Sequence, residues 1–354
     1  MSDVRVHDVR VHDDRVVVHD VCVAGGGAAG AACAALLARR GLDVAVIDRP
    51  APAARDRREL LSPSALRLLA GLDLDLPLLR TPAACRGVLS RWAADAPAFF
   101  DYELCDCGAG AIVSRSGFAH ALLDLAVAAG ASVIATRPRP GATPTPPRYL
   151  VDATGRSGRV MPHAFPRRHT DRAVCVWTRD APALRHADVL ILDRTPNGWW
   201  YAISSSESTS DIAFVTDADC LPAPHLRPRF LEAEYREARL LADDVLDEPS
   251  FAATHSTDAR AGHRGTMAGD GWLAVGDAAI ALDPLSGNGI RVALEGAARA
   301  ADAIERMVRA GSNDGVSVYL AWCADTIERE RHVRQEVYRS ARRTSSDGVF
   351  WQRR

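Results

Sequence analysis

The sequence predicts an α/β fold, in which a Rossmann-like dinucleotide-binding domain carries an inserted antiparallel β-sheet and is followed by helices. Three observations predict this fold. A strand-like run ends in a glycine-rich turn that opens a helix (residues 16–40), four β-rich runs without intervening helices lie between residues 173 and 215, and apolar residues recur at helical spacing from residue 290. The chain length of 354 residues is enough for about two domains.

The composition excludes several classes of function. A net charge of −2 and a hydrophobic content of 47% are typical of a globular protein without a general affinity for nucleic acid or anionic membranes. All 43 basic residues are arginine, which excludes lysine-dependent chemistry such as Schiff-base formation. The most apolar run, residues 21–37, is rich in glycine and alanine, and a dinucleotide turn explains it better than a membrane span.

The cysteines and the N-terminal repeats point to no metal site. The eight cysteines are scattered, and the one close pair, Cys105 and Cys107, indicates a metal only weakly because no second pair or histidine lies nearby. The Val-His-Asp repeats of residues 1–15 indicate a solvated, frayed tail and not a secretory signal. We therefore predict no metal ligands and expect free thiols in the cytoplasm.

The first motif is GGGAAG at residues 25–30, with a strand-like run before it and a helix-like run after it. Gly25 permits the tight turn, Gly27 lets a pyrophosphate approach the backbone, and Gly30 lets the helix lie close to the sheet. A second strand-like run ends at Asp48, whose carboxylate can accept hydrogen bonds from the adenosine ribose. The motif predicts a dinucleotide but does not separate FAD from NAD.

Periodicity assigns the other elements. A run that ends in the small-residue turn DATG (152–155) is a second place where the backbone can approach a cofactor. The predicted helices are residues 64–70, 117–130, 226–242, 290–308 and 312–343, and the further strands are residues 133–136, 149–152, 173–177, 188–193, 198–204 and 211–216.

The third motif follows a short apolar run at residues 272–275. Gly276 and Asp277 end this run, Pro284 stiffens the next turn, and residues 286–289 present bare backbone amides at the start of a helix. A helix N-terminus favours a group that becomes anionic, and the carboxylate before it suits a polyol. Flavin has a ribityl chain and a ring that becomes anionic on reduction, so the motif predicts an FAD site.

In this order, the motifs resemble those of the FAD-dependent monooxygenases of the p-hydroxybenzoate hydroxylase fold, whose FAD-binding domain is of the glutathione reductase type. Three further stretches resemble a halogenase-like branch of that superfamily, which includes flavoprotein hydroxylases that act on a tryptophan of a partner protein during quinone-cofactor biogenesis. These stretches are ELLSP (59–63), GWWYAIS (198–204) and FWQRR (350–354).

The resemblance implies a domain division and a set of cofactor contacts. The FAD-binding domain would comprise residues 16–80, 108–160 and 256–311, the substrate domain residues 81–107 and 161–255, and a C-terminal helical segment residues 312–354. Arg115 stands where the family has an arginine on the FAD-proximal helix. The predicted cofactor-binding residues are Gly25, Gly27, Ala28, Ala29, Gly30, Asp48, Arg49, Arg115, Thr154, Gly155, Gly276, Asp277, Pro284, Ser286, Gly287, Asn288 and Gly289.

Two departures from the family pattern narrow the function. Hydroxylases that dock NAD(P)H directly carry Asp-Gly in the second motif, whereas this chain has DATG, the version of the halogenases and their relatives. The electrons would then come from NAD(P)H either directly or through a separate flavin reductase. Halogenases of the superfamily deliver hypohalous acid through a lysine, and this chain has no lysine.

The resemblance implies a monooxygenase that uses O₂ and a flavin C4a-hydroperoxide to hydroxylate an aromatic or indole group, either in a small molecule or carried on a peptide or protein. The alternatives are a reductase or desaturase of the geranylgeranyl reductase type, a halogenase-like protein without the catalytic lysine, and a flavin-binding protein with a structural role. Trp199, Trp200 and Tyr201 either line the substrate pocket or pack in a core, and His255 is either a general base or structural.

Overall fold

A computed structural model describes residues 19–49, 56–104, 108–137, 147–158, 160, 166–204, 206–342 and 348–354. The predicted N-terminal tail, the start of the first predicted strand and the Cys105–Cys107 pair lie outside the described residues.

The described residues form nineteen strands and eight α-helices. The strands are β1 Val21–Ala24, β2 Val44–Asp48, β3 Arg58–Leu61, β4 Ala83–Cys85, β5 Gly87–Arg91, β6 Ala98–Asp101, β7 Gly110–Ser114, β8 Ser132–Ala135, β9 Tyr149–Asp152, β10 Arg167–His169, β11 Ala173–Pro182, β12 Val189–Thr195, β13 Gly198–Ser204, β14 Thr209–Asp217, β15 His255–Asp258, β16 Gly262–Arg264, β17 Ala268–Gly269, β18 Trp272–Ala274 and β19 Ile280–Ala281. The helices are α1 Ala28–Arg39, α2 Pro63–Gly71, α3 Arg115–Ala128, α4 Arg227–Glu237, α5 Arg239–Asp244, α6 Gly289–Ala310, α7 Asp314–Arg342 and α8 Val349–Gln352.

A six-stranded sheet in the order β17-β18-β9-β1-β2-β8 forms the dinucleotide half. Its strands β18, β9, β1, β2 and β8 are parallel, and β17 is antiparallel to β18. Residues of β1 are buried on both faces of this sheet, as expected for a parallel strand covered by helices. Because the strands are parallel, the carboxyl ends of β18, β9, β1 and β2 meet at one edge, where α/β sheets bind ligands.

A seven-stranded sheet in the order β15-β11-β14-β13-β12-β5-β6 lies beside the first. All its strand pairs are antiparallel except β12 with β5, which the sequence pattern did not predict. One face is covered by α4 and α5 and carries an apolar cluster that includes Val176, Trp200 and Phe214. The other face carries Cys175, Trp177 and Trp199 together with residues from the C-terminal end. Two three-stranded sheets, β3-β7-β4 and β10-β16-β19, complete the α/β fold that the sequence predicts.

The helix predicted over residues 226–242 is interrupted. Ala238 leaves the helical region with φ −82° and ψ 70° and separates α4 from α5. The backbone N–H of Leu241 then donates to the buried carboxylate of Asp193, with 3.1 Å between N and Oδ2. The break allows α5 to donate a hydrogen bond to Asp193 of the sheet. Helix propensity along the sequence does not predict that contact.

The C-terminal end packs against the seven-stranded sheet. Phe350 and Trp351 are fully buried. The indole of Trp351 donates to the carbonyl oxygen of Thr195 at 2.7 Å, and Arg354 pairs with Asp217 at 2.8 Å. Among the described residues, every helix is too short or too polar to cross a membrane.

Candidate functional site

Three turns from distant parts of the sequence touch one another at the carboxyl edge of the six-stranded sheet. A Cβ atom on Gly25, whose φ is +113°, would lie 2.4 Å from the carbonyl oxygen of Ala153. A Cβ atom on Gly276, whose φ is +58°, would lie 2.6 Å from the Cβ of Ala29. Both distances are far below van der Waals contact. The three motifs can therefore pack this closely only because residues 25 and 276 are glycines, which have no Cβ atom.

The first turn presents bare backbone to open space. A Cβ atom on Gly30 would lie 1.9 Å from the carbonyl oxygen of Gly25, so α1 lies close against its own turn. Gly27 is the N-cap of α1 and, as a glycine, has no side chain that could accept from the helix amides. A Cβ atom at this position would meet nothing within 4 Å. Ala28 and Ala29 are the first residues of α1 and are half-buried. Free amides beside open space suit a pyrophosphate.

Asp48 ends β2 beside this turn. A Cβ atom on Gly26 would lie 2.8 Å from its Oδ2 atom, so the carboxylate lies against the glycine turn. Asp48 is half-buried and accepts no hydrogen bond within the described part of the chain, which leaves its oxygens for the hydroxyls of a ribose. Arg49 is exposed.

The second turn is fixed by a buried ion pair. Asp152 is fully buried and pairs with Arg264 at 3.0 Å, and the hydroxyl of Thr154 donates to Asp152 at 2.6 Å. The carboxylate of Asp152 therefore serves the turn and not a ligand. Gly155, with φ +66°, has open space where a Cβ atom would stand.

The third turn carries a partly accessible carboxylate. The side chain of Asp277 is 29% exposed and pairs with Arg156 at 3.2 Å. Arg167 donates to the backbone carbonyl of Asp277 and, at 3.2 Å, to that of Ala278. Two arginines thus orient Asp277 while one side of it stays open, as a contact to a ribityl or pyrophosphate group requires.

Residues 284–289 form the turn at the N-terminus of α6. Pro284–Ser286 is a single 3₁₀ turn, capped by Asp283, whose Oδ1 accepts from the N–H of Leu285 at 3.0 Å. Gly287, with φ +60°, and Gly289 both have open space where a Cβ atom would stand. Asn288 is the N-cap of α6 but makes no side-chain cap. The N–H of Asn288 donates to the hydroxyl of Ser286 at 3.2 Å, and the N–H of Gly287 donates to the carbonyl oxygen of Pro284 at 3.2 Å. Within the described residues the N–H of Gly289, at the start of α6, has no acceptor, and this helix terminus fits an anionic ring edge.

A network from the C-terminal helix holds this last turn, and sequence reasoning missed it. Arg334 of α7 pairs with Asp283 at 2.8 Å and with Asp171 at 2.9 Å. Tyr338 donates to Asp283 at 3.1 Å and accepts from the indole of Trp199 at 3.2 Å. Burial raises the pKa of Asp171, and burial also raises that of Tyr338 well above its usual value. Nothing in the local sequence pattern marks these pairs.

The three aromatic candidates of β13 lie on opposite faces of the sheet. Trp200 is 1% exposed and packs against Phe214 and Phe251, with ring centroids 4.8 and 5.4 Å away. Trp199 is also 1% exposed, but it lies on the other face and bonds to Tyr338. Tyr201 shares the face of Trp199 and is half-buried. Successive side chains of a strand alternate between faces, so the three residues do not form one surface, and Trp200 packs in a core.

The face that carries Tyr201 is the one turned toward the α6 turn, because Leu285 packs on its cluster. The hydroxyl of Tyr201 lies 3.9 Å from the sulfur of Cys175. His255 begins β15 at the edge of this sheet and stacks on Trp177, with ring centroids 4.7 Å apart.

Glu59 and Arg57 also belong to this region, and neither was predicted as a site residue. Glu59 of β3 accepts from Arg115 at 2.7 Å and from Arg57 at 3.3 Å. Burial would raise the pKa of Glu59, but the charges of Arg115 and Arg57 outweigh it and hold that pKa below its usual value. Arg115 thus pairs with Glu59. The ELLSP stretch was the one sequence signal that could have pointed to Glu59.

Comparisons with known proteins concern the FAD-binding domain and the fold. Residues 18–138 match the FAD binding domain family. The protein LodB of Marinomonas mediterranea, named as an FAD-dependent oxidoreductase, is 26% identical over 367 residues, which cover 95% of this chain and 96% of LodB.

Solved structures share the fold at lower identity. The peptidyl tryptophan dihydroxylase QhpG aligns with a TM-score of 0.78 at 22% identity, over 95% of this chain and 78% of QhpG. The myxobacterial chondrochloren halogenase CndH aligns with a TM-score of 0.81 at 19% identity, over 95% and 85%. PqsL of Pseudomonas aeruginosa, in complex with 2-aminobenzoylacetate, aligns with a TM-score of 0.70 at 18% identity, over 95% and 98%. The chain therefore carries an FAD-binding domain, and as a whole it has the fold that these hydroxylase and halogenase structures share.

Proposed function

We propose that the chain is an FAD-dependent monooxygenase that hydroxylates an electron-rich aromatic or indole ring, in a small molecule or on a peptide or protein. The observation that carries this proposal is the packing of three turns, residues 25–30, 152–155 and 276–277, at one sheet edge, together with the uncapped N-terminus of α6. Bound and reduced FAD would supply the oxygen chemistry, with O₂ as co-substrate.

Each turn has a part in this proposal. The amides of residues 25–30 would bind the pyrophosphate, and Asp48 would accept from the adenosine ribose. Asp277, oriented by Arg156, would accept from ribityl hydroxyls. The N-terminus of α6 at residues 287–289 would lie along the ring and stabilise its negative charge after reduction, because it is the positive end of the helix dipole.

The substrate would lie on the sheet face that carries Tyr201. That face turns toward the α6 turn, and Tyr201 is the accessible aromatic of the three candidates on β13. Two proteins of the same fold support an aromatic substrate, since QhpG is a peptidyl tryptophan dihydroxylase and PqsL was solved with 2-aminobenzoylacetate. His255 stays a candidate general base at the edge of this face.

The supply of electrons and the domain division are also parts of the proposal. Because the second motif is DATG, we favour reduced flavin or electrons from a separate flavin reductase over direct docking of NAD(P)H. The FAD-binding domain would comprise residues 16–80, 108–160 and 256–311, and the substrate domain residues 81–107 and 161–255. The scattered cysteines favour the cytoplasm.

The test begins with FAD titration of the purified protein, followed by anaerobic reduction with NADH or NADPH, alone and with a flavin reductase. O₂ is then admitted with N-acetyltryptophanamide or phenol as the probe, and products are analysed by mass spectrometry. We expect bound FAD and a product that has gained one oxygen atom. A gain or loss of two hydrogens without oxygen would contradict the proposal and favour a reductase or desaturase. Failure to bind FAD would contradict it at the first step.

A further inference from the structure

Among the described residues, one carboxylate oxygen on the Tyr201 side of the molecule has no hydrogen-bond partner. Both arginines that pair with Glu59 contact its Oε1 atom, Arg115 at 2.7 Å and Arg57 at 3.3 Å. The Oε2 atom accepts no hydrogen bond within the part of the chain that the structure describes. The side chain of Glu59 is 23% exposed, so this oxygen can be reached. Ionised carboxylates usually satisfy both oxygens when they are enclosed.

Strand β3 passes beside the face of the seven-stranded sheet that carries Tyr201. Leu60, the neighbour of Glu59, packs on an apolar cluster formed by Cys85, Ile112 and Ile203 of β13. The backbone N–H of Arg58 donates to Asp211 at 2.6 Å, and Asp211 is the register partner of Ile203. Ile203 lies two residues beyond Tyr201 and therefore on the same face of β13. The backbone of β3 thus passes beside the strand face that presents Tyr201.

The charges of this cluster define what it can recognise. The arginines keep the pKa of Glu59 below its usual value, so the carboxylate stays ionised and only accepts hydrogen bonds. Burial would lower the pKa of Arg57, but Glu59, Tyr201 and Cys175 raise it. Burial raises the pKa of Tyr201 well above its usual value, so its hydroxyl stays neutral.

We propose that Glu59 Oε2 is the substrate-anchoring acceptor, that the substrate is an aromatic compound with a ring N–H or O–H that donates to it, and that the ring of Tyr201 forms the wall beside it. This inference rests on the proposed function and deepens it. A donor held by an anionic acceptor keeps its proton but passes electron density to the ring, which favours attack by an electrophilic oxygen. An aromatic without such a donor would leave Glu59 unpaired and bind more weakly.

The experiment compares two probes on the FAD-loaded protein, indole and 1-methylindole, by isothermal titration calorimetry. The methyl group removes the ring donor and little else. We expect the wild type to bind indole about tenfold more tightly than 1-methylindole. Equal affinity for the two probes, or no saturable binding of indole, would overturn the inference.

Three variants locate the discrimination. Glu59→Gln keeps an oxygen for the arginines but removes the charge, and we expect it to bind both probes about equally. Glu328→Gln, on the exposed face of α7, is the matched control and should keep the wild-type ratio. Tyr201→Phe keeps the ring and should also keep the ratio. Loss of discrimination in Tyr201→Phe with retention in Glu59→Gln would assign the recognition to the tyrosine hydroxyl and overturn the inference.

FAD titration is run on every sample before the probes are added. A wild type that binds no FAD would overturn the proposed function. A wild type that binds FAD but does not distinguish the probes would overturn the role of Glu59 alone. The wild-type comparison of the two probes does not depend on the folding of any variant.

Discussion

Two turns precede the long helices α1 and α6 at the same side of the molecule, yet they are held in different ways. Within the described residues, the turn at residues 25–30 is fixed by backbone hydrogen bonds, such as Gly25 N–H to Ile47 at 2.8 Å and Ala31 N–H to Gly27 at 2.8 Å. The turn at residues 283–289 begins at a buried carboxylate that Arg334 and Tyr338 contact from α7.

The difference follows from what each turn joins. The first turn connects a buried parallel strand directly to the helix that packs on it, so strand and helix fix its position. The turn at residues 283–289 follows the two-residue strand β19, and its Leu285 packs on the Tyr201 face of the seven-stranded sheet. Contacts from α7 add to the local hydrogen bonds of this turn by anchoring Asp283.

The largest effect is expected for Arg334→Met. Removing the arginine leaves Asp283 and Asp171 buried without their shared counter-charge, because their side chains are only 2% and 5% exposed. Breaking such a pair costs about 3 kcal/mol of unfolding free energy, and the displaced turn should bind FAD more weakly. Denaturant unfolding and FAD titration measure the two effects.

Arg329→Met is the matched control on the same helix. Arg329 pairs with Asp325 on an exposed surface, where an ion pair contributes about 0–1 kcal/mol. A double variant, Arg334→Met with Asp283→Asn, removes both charges and should recover part of the lost stability. Equal stability and FAD affinity in Arg334→Met and Arg329→Met would show that the turn at residues 283–289 needs no support from α7.

The next effect separates cofactor binding from folding at the first turn. Gly27 has an ordinary backbone conformation, with φ −68° and ψ 178°, and a Cβ atom would meet no protein atom within 4 Å. Gly27→Ala should therefore leave the unfolding free energy of the FAD-free protein nearly unchanged. The methyl group would occupy the space that a pyrophosphate needs, and we expect the affinity for FAD to fall about tenfold to a hundredfold.

Gly71→Ala is the control for this prediction, because a Cβ atom there also meets open space and the residue lies at the end of α2. It should change neither property. If Gly27→Ala bound FAD as tightly as the wild type, the pyrophosphate would not lie against this turn.

The contrast between the turns also explains what the sequence could predict. Local glycines define the first turn. Gly25 has the left-handed φ of a tight turn and Gly30 lets α1 lie close to it, as their spacing predicts, whereas the contact of Gly27 with a pyrophosphate stays a prediction. The fold class follows from the same local patterns of strands and helices. The predicted helix terminus at residues 287–289 is likewise a local feature.

Side-chain sites were not predictable in the same way. Arg334 reaches Asp171 across 163 positions of sequence and Asp283 across 51, and Arg115 reaches Glu59 across 56. No periodicity links such residues, because tertiary packing alone brings them together. The adjacent Trp199 and Trp200 illustrate the reverse case, since neighbours in sequence are separated by the thickness of a sheet.

The smallest effect is expected for Asp48→Asn. Asp48 is half-buried beside the first turn and has no hydrogen-bond partner in the described residues, so its loss should barely change stability. The amide keeps one acceptor oxygen but loses the charge that strengthens hydrogen bonds to the ribose hydroxyls, and we expect FAD affinity to fall about threefold to tenfold. ADP-ribose shares the adenosine half of FAD, so competition titrations should show the same factor for both ligands. A loss for FAD without a loss for ADP-ribose would place Asp48 away from the adenosine ribose.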